Sequence, residues 1–439
     1  MLRKYITRIL YPLGECFGGR TILKKLYALR REAALPFEER KKQAASRLYQ
    51  QVVEASRKIP YYRDLFSKKH FHPEWLKDSP EALEELPWLT KDIIREQGRR
   101  MLHEDYANGF LHERKTGGST GPSTMIYYSQ EDLDWTAAQN ILMLEWAGKK
   151  LGEKEVHLST RFLEPPTPEG IRYEKRKCFL LNRVNILTKD HSEKEMEDFL
   201  RRLQKARAVS VQGHASTMYA LANYMESKNI ISKRLFDIFI STGESILDSR
   251  KQKIERFIGC KVADRYGAAE FGVMAQQLRQ SNDLLVSDSL VWPEVTDCDQ
   301  EGVGELVFTA IRNKAMPLIR YRMGDLGRLD ERDTGWWVSH LSGRIHDEVS
   351  IGGHVYPTHY LLDVLDHRCP GILDFQVLAR KGVAEGLNIV PGEGQDITWI
   401  AQHLQKEFPG LPVRQIQPDE LRFVGRRGKF RYIFSLGEE

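Results

Sequence analysis

Thr116-Gly117-Gly118-Ser119-Thr120-Gly121 sets three glycines among three hydroxyl residues in six positions. Such a stretch offers almost nothing apolar to a core. It is well suited to cradling an oxyanion, because glycine lets successive backbone N–H groups converge on one point while Ser and Thr hydroxyls add donors. A Walker loop would continue Gly-Lys-Ser/Thr, but Pro122, Ser123 and Thr124 stand there, so any phosphate cradle is of another type. A flexible linker has a similar composition. The stretch gains its meaning from what lies on either side.

Immediately downstream, Ser129 to Ala147 reads as a helix, with Ser129 as its N-cap and Leu133, Ala137, Ile141 and Leu144 as a stripe. Upstream, the first hundred residues read helical, with Leu26, Leu29, Leu48, Val52 and Val53 at facing spacings and Pro60, Pro73, Pro80 and Pro87 as punctuation. From about Val209, strands and helices alternate. Leu235 to Ile240 is a short apolar strand running into Ser241-Thr242-Gly243-Glu244. A helix capped by Asp248 and stopped by Gly259 follows, and another strand starts at Val262. That alternation predicts a substantially parallel sheet with its ligands beyond the strand C-termini.

After Gly304 the pattern turns to β, with Glu305 to Ile311 and Gly335 to Ser339 as strands. The last hundred residues read as a separate α+β unit. Its expected helices are Thr358 to His367 and Ile397 to Phe408, and its expected strands are Leu373 to Ala379, Gly386 to Val390 and Leu411 to Gln417. The expected class is α/β: a large N-terminal domain of mixed sheets and helices (1–343, with 1–90 a helical lead-in) and a small α+β C-terminal domain (344–439).

Composition bounds the function. At 439 residues the chain exceeds one hydrophobic core. With 41% hydrophobic and 29% charged residues it is an ordinary globular protein. No apolar run approaches a membrane span, and the N-terminus lacks the continuous apolar region of a secretory signal. Five cysteines far apart, with no C-x-x-C, argue against a disulfide framework and a structural zinc. A cytoplasmic location is expected. Residues 1–50 carry twelve Lys/Arg against four Asp/Glu, a net of +8, while the rest of the chain nets −3. The N-terminal segment is therefore a candidate for weak contact with an anionic membrane surface, a solvated helical face being the plainer reading. Nucleic acid is not an expected partner, because no basic-aromatic module is present.

Four later segments accompany the glycine stretch: Arg265-Tyr266-Gly267-Ala268-Ala269-Glu270-Phe271-Gly272, Arg320-Tyr321-Arg322-Met323-Gly324-Asp325-Leu326-Gly327-Arg328, Ser342-Gly343-Arg344-Ile345-His346-Asp347-Glu348-Val349, and Gly428-Lys429-Phe430-Arg431. In this order and spacing they resemble the core motifs of adenylate-forming enzymes, the acyl-CoA synthetase superfamily. The nearest branch by resemblance holds phenylacetate–CoA ligase and the capsular-polysaccharide-type ligases. Ile59-Pro60-Tyr61-Tyr62-Arg63, Leu86-Pro87-Trp88-Leu89-Thr90-Lys91 and Val211-Gln212-Gly213-His214-Ala215-Ser216 add to it. The likeness runs from about residue 45 to 435.

The resemblance implies roles. Thr116, Gly117, Gly118, Ser119, Thr120 and Gly121 would hold the β- and γ-phosphates of ATP. Gly243, Glu244 and Tyr266 would frame the adenine, with Gly267 among the nucleotide-binding residues. Glu270 would hold Mg²⁺, a hard cation that favours carboxylate and phosphate oxygens. Asp325 would bind the ribose hydroxyls, and Arg344 the ribose or phosphate near a hinge. Lys429, on a mobile C-terminal domain, would stabilise charge developing between the acid and the α-phosphate. His214 is a candidate for the acyl pocket. Each of these residues alone has a duller reading: a solvated carboxylate, a core tyrosine, a surface lysine, half of an ion pair.

The implied reaction activates a small carboxylic acid, aryl or similar, as its acyl-adenylate and passes it to CoA. The alternatives are an amine acceptor, as in polysaccharide or natural-product biosynthesis, and a non-catalytic nucleotide-binding protein on a decayed ligase fold. Some relatives carry a Cys/His metal site after the glutamate motif. Gln276-Gln277-Leu278 stands there in this chain, so no zinc is expected.

Overall fold

The computed structural model describes residues 6–116, 124–158, 168–188, 192–243, 246, 248–342, 348–357, 360–361, 364–365, 369, 371–392, 395, 397–417, 420–424 and 429–437. They fall into two compact units. The first comprises Met1–Gly117, Thr124–Leu151 and Ala263–Gly343, and the second includes Gly152–Val262 and Arg344–Glu439.

The first unit begins with helices. Phe37–Lys58 is the longest, burying Phe37, Ala44, Leu48, Val52 and Ala55 at steps of three, four and seven residues along one face. Leu26, Leu29, Leu48 and Val52 are all fully buried, as their spacing predicts, while Val53 is half-buried. The prolines open elements here. Pro60 starts the helix Pro60–Lys69, and Pro73 and Pro80 start 3₁₀ turns, because a first-turn residue needs no N–H partner. Together with the strands described next, these helices close one core around Leu48, Tyr62, Phe308, Tyr321 and Val338. Leu48→Ala would cost about 2–5 kcal/mol by leaving a cavity there.

The strands of this unit run, by neighbour, Val291–Thr296, Val303–Ala310, Tyr321–Arg332, Gly335–Ser342, Leu284–Val286, Gly272–Gln277 and Lys261–Ala268. Every one of these pairings is antiparallel. A separate antiparallel hairpin joins His112–Lys115 to Met125–Tyr128. The expected helix is present as Gln130–Trp146. It opens on a reciprocal capping box, with Ser129 Oγ accepting from the Asp132 N–H while Asp132 accepts from the Ser129 N–H. Leu133 and Ala137 are only half-buried, and the inward positions are Ala138, Gln139 and Ile141 to Leu144.

In the second unit a parallel sheet is ordered Arg183–Ile186, Glu155–Leu158, Ser210–Gly213, Ile238–Thr242; the alternation expected from about Val209 supplies its last two strands, and the first two lie upstream of it. The helices Pro168–Leu181, Glu193–Ala206, Ala215–Ser227 and Asp248–Ile258 alternate with them along the chain. The core here is Val156, Phe199, Leu203, Val211, Phe239 and Ile254. The Ile238–Thr242 strand starts three residues later than the apolar run from Leu235 suggested. The parallel arrangement expected from about Val209 is present in Ser210–Gly213 and Ile238–Thr242, while from Lys261–Ala268 onward the first unit's pairings are antiparallel.

The C-terminal segment folds as a small mixed sheet, ordered His354–Pro357, Glu348–Ile351, Val383–Pro391, Ile372–Arg380, Ile433–Ser435, with Val413–Gln415 beside Val383–Pro391. The helix Ile397–Glu407 buries Ile400 and Leu404, and the core gathers Phe375, Val377, Ile389, Leu404 and Phe408. Most of the helix expected over 358–367 lies outside the described residues. The architecture is thus a large mixed α/β region with a smaller C-terminal α+β region.

Candidate active site

Of the predicted residues, the structure brings together Tyr266, Gly267, Glu270 and Asp325 with the foot of the glycine stretch, all in the first unit. Glu270 lies in the short connection between two antiparallel strands, Lys261–Ala268 and Gly272–Gln277. The chain reverses there. Two glycines permit the reversal. A Cβ at Gly267 would fall 2.8 Å from the Gly272 carbonyl oxygen. Gly272 itself has φ +80°, and a Cβ on it would strike Thr136 Cγ2 at 2.4 Å.

Glu270 is buried, at 5% exposure. Its Oε1 accepts the Tyr321 hydroxyl at 2.8 Å. The Tyr128 hydroxyl donates across the carbonyls of Ala269 and Glu270, at 2.7 and 2.5 Å. Burial pushes the Tyr128 hydroxyl well above the usual tyrosine value, so it stays a donor. A carboxylate this deep would be expensive without such partners.

Asp325 is equally buried. It lies in the strand Tyr321–Arg332, just after Gly324 at φ +76°. The Tyr266 hydroxyl donates to Asp325 Oδ2 at 2.9 Å. Two tyrosine–carboxylate pairs therefore connect the same two segments. In each segment the tyrosine precedes the carboxylate by four residues, and each tyrosine serves the carboxylate of the other segment. The arginines around Asp325 are already paired: Arg320 with Glu294, Arg322 with Glu305 and Arg328 with Asp330.

Thr116 and Thr124 close the neck of the glycine stretch. The Thr116 N–H donates to the Thr124 carbonyl at 2.9 Å, and the Thr124 N–H donates to Thr116 Oγ1 at 3.0 Å. Both are buried. Residues 117 to 121 themselves lie outside the described residues, as do Glu244 and Arg344. Tyr128, on the strand that leaves this neck, ties it to the Glu270 turn.

In the second unit, His214 and Gly243 come together at the C-terminal ends of neighbouring parallel strands. A Cβ at Gly243, whose φ is +80°, would sit 3.1 Å from His214 Cε1, so the imidazole lies over bare backbone. Lys429 begins the two-residue strand Lys429–Phe430, paired with Phe423–Val424. Its backbone is placed, and its side chain lies outside what is described.

Three residues of this neighbourhood went unread in the sequence. Tyr321 stood inside a quoted motif. Tyr128 could have been found from the strand alternation of Met125–Tyr128, which turns Ile126 and Tyr128 inward. Gln139 gave no sequence signal. It is 1% exposed, and neither its side-chain oxygen nor its nitrogen has a hydrogen-bond partner among the described residues. It lies one turn beyond Thr136, on the helix that packs against Gly272.

The donor set suits Mg²⁺. That ion is typically held by one or two carboxylates plus phosphate oxygens and water, and Glu270 offers one carboxylate whose Oε2 has no hydrogen-bond partner among the described residues. No group of three or more His, Cys, Asp or Glu that could cage a metal occurs among the described residues. A cavity of about 20 Å³ lies between Glu270, Tyr128, Asp132, Thr136, Arg312 and Asn313. It has room for about one water and none for an organic acid.

No protein-family model matches the chain. It is 25% identical over 322 residues to phenylacetate-coenzyme A ligase of Pseudomonas putida, covering 70% of this chain and 71% of that one. It is 24% identical over 278 residues to Protein CapK of Staphylococcus aureus, covering 62% and 59%. Its fold is similar to the crystal structure of 2-hydroxyisobutyryl-CoA ligase in the postadenylation state in complex with R3-HIB-AMP. There the TM-score is 0.59 at 20% identity, over 93% of this chain and 92% of that one. In its fold the chain is similar to this CoA ligase, and over a long run of sequence it is similar to phenylacetate-coenzyme A ligases and Protein CapK.

Proposed function

We propose that this protein activates a small carboxylic acid with ATP and transfers the acyl group to CoA. The observation that carries the reading is the pair of crossed contacts Tyr321–Glu270 and Tyr266–Asp325 beside the neck of a glycine-rich stretch. Two buried carboxylates, each accepting a phenol hydroxyl, are costly to hold, and such costly groups cluster at functional sites. The sequence likeness to phenylacetate-coenzyme A ligases supports the thioester as product.

In the first half-reaction a carboxylate oxygen attacks the α-phosphorus of ATP. The bond to the β-phosphate breaks, and pyrophosphate leaves with the electron pair. In the second, the CoA sulfur attacks the acyl carbon, AMP departs, and the thiol proton goes to solvent or base. Asp325 accepts hydrogen bonds from the ribose hydroxyls, with its orientation set by Tyr266. Glu270 is the residue that would hold Mg²⁺, whose chemistry when bound is neutralisation of phosphate charge. Thr116 and Thr124 hold the two ends of the phosphate-binding stretch together. Lys429 and Arg344 are assigned to the acyl–phosphate junction and to the ribose. Positioning and charge stabilisation supply the catalysis, with no covalent enzyme intermediate.

The test is pyrophosphate release from ATP and Mg²⁺ over a panel of aryl, short-chain and long-chain acids, with and without CoA. Acid-dependent release that yields a CoA thioester supports the reading. Release with AMP formation driven by an amine and indifferent to CoA replaces the acceptor. Nucleotide binding with no release for any acid would leave a binding protein on a ligase fold.

A further inference from the structure

The N-terminal helices carry a surface that the proposed reaction does not use. In the helical stretch formed by Ile6–Leu10 and Tyr11–Gly18, Ile9, Leu13 and Phe17 are 44%, 49% and 89% exposed. They follow one another at four-residue steps, which return to nearly the same side of a helix. The opposite side holds the protein. Tyr11 is buried, and the Glu15 carboxylate accepts the Leu23 N–H at 3.0 Å. The three apolar side chains therefore make an outward stripe on a helix already fixed by its other face.

The next helix, Ile22–Ala33, divides its cations in the same way. Lys25 is buried and donates to Thr21 Oγ1, and Arg30 pairs with Glu145. Lys24 and Arg31 are exposed and make no ion pair among the described residues. Between them Tyr27 is 67% exposed. Positions 24, 27 and 31 share a side. Across residues 1–31 the sequence has eight Lys/Arg against the single acid Glu15.

We propose that this basic, apolar-striped N-terminal face binds reversibly to the surface of an anionic lipid bilayer. Ile9, Leu13 and Phe17 would enter the headgroup–acyl boundary while Lys24 and Arg31 meet anionic headgroups. Apolar residues facing outward beside unpaired cations match a surface that is apolar just beneath a negative layer. An aqueous face alone explains the cations and leaves the stripe unexplained. The contact is weak, because about a dozen helical residues bury little apolar area, and its strength falls with salt. This inference is independent of the proposed activity, since none of its residues belongs to the candidate site.

The full-length protein would be sedimented with vesicles of phosphatidylcholine containing about 30% phosphatidylserine, and with vesicles of phosphatidylcholine alone. The expected result is binding to the anionic vesicles only. The bound fraction should fall about tenfold or more in Ile9→Ser/Leu13→Ser/Phe17→Ser, and severalfold in Lys24→Glu/Arg31→Glu. A Phe17→Trp variant, which keeps the stripe, should show a blue-shifted emission with anionic vesicles. Absence of binding to either vesicle overturns the proposal. So does binding that the triple variant retains in full, which is charge adsorption alone. So does concentration-dependent dimerisation that the triple variant abolishes, which makes a second copy of the chain the occupant. An unchanged melting temperature in each variant separates loss of binding from loss of fold.

Discussion

The Tyr321 hydroxyl donates to Glu270 Oε1 across 2.8 Å, joining residues fifty-one positions apart in the chain. Removing the donor leaves a buried carboxylate with one fewer partner. Tyr321→Phe should therefore lower stability by about 1–3 kcal/mol, read as a shift of the urea midpoint at constant m-value. The same variant should require more Mg²⁺ for half-maximal pyrophosphate release. An unshifted midpoint would show that the contact does not hold in solution.

Asp325 and Tyr266 form the second pair, and their variants should differ in degree. Asp325→Ala removes the proposed ribose acceptor and should weaken ATP binding by about tenfold or more. Tyr266→Phe leaves the carboxylate but removes one donor that orients it, and should cost about two- to tenfold. Calorimetry on both variants decides it. Unchanged affinity in Asp325→Ala would remove the ribose assignment.

Lys429→Ala should abolish adenylate formation while sparing thioester formation from a supplied acyl-adenylate, because only the first half-reaction builds charge between acid and α-phosphate. Separate assays of the two half-reactions read this directly. Equal loss of both would refute the division of labour.

Asp134 accepts the Thr21 N–H at 2.6 Å, the Thr21 hydroxyl at 2.9 Å and Arg20 Nε at 2.5 Å. Burial alone would raise its carboxyl, but these donors outweigh burial and hold it below the usual aspartate value. A lowered folded value contributes stability that is complete above the unfolded value of about 3.9 and is lost as the pH falls through the folded value. Asp134→Asn should thus destabilise at neutral pH by about 1–3 kcal/mol, and the difference from the parent should shrink as the solution is taken to about pH 2–3. A difference constant across that range would show that the charge on Asp134 is irrelevant.

Gln139 is buried with both amide atoms unpartnered among the described residues. Gln139→Leu, close in shape and apolar, should raise stability by about 1–2 kcal/mol, because an unsatisfied buried amide is lost. If the amide reads a polar group on the acid, the same variant should raise KM for that acid with kcat little changed. A variant that melts lower than the parent would show that Gln139 has partners the geometry does not reveal.

The sequence was most legible where one residue type could do one local job. Ser129 was read as a cap because a hydroxyl before an apolar period has few other uses, and it caps a helix from Gln130. Gly259 was read as a stop and sits at φ +72°. Glu270 and Asp325 were named from motif order, but their tyrosine partners were not. Tyr321 reaches Glu270 only after the strands are in register, and no local pattern encodes that register. The antiparallel run was missed for a related reason. Alternating strand and helix signals continue up to Val262, and the direction of the next strand depends on how the chain turns at Ala269–Phe271, which strand and helix signals do not encode. Gln139 was invisible because polarity at a buried helical position contradicts the pattern used to find buried positions.

The glycines at 267 and 272 are fixed by the Gly272 carbonyl and by Thr136, contacts indifferent to whether Glu270 still does chemistry. Selection on folding alone would preserve them. In a lineage that had abandoned catalysis, Gly267 and Gly272 would persist while position 270 drifted, so the glycine frame by itself would be a fossil of ancestry. The informative position among this protein's descendants is the carboxylate between the glycines, together with the tyrosine that reaches it from the other strand. Where both change at once, the proposed activity should be absent; where the glutamate alone is kept, the phenol that steadied it should be found replaced by another donor.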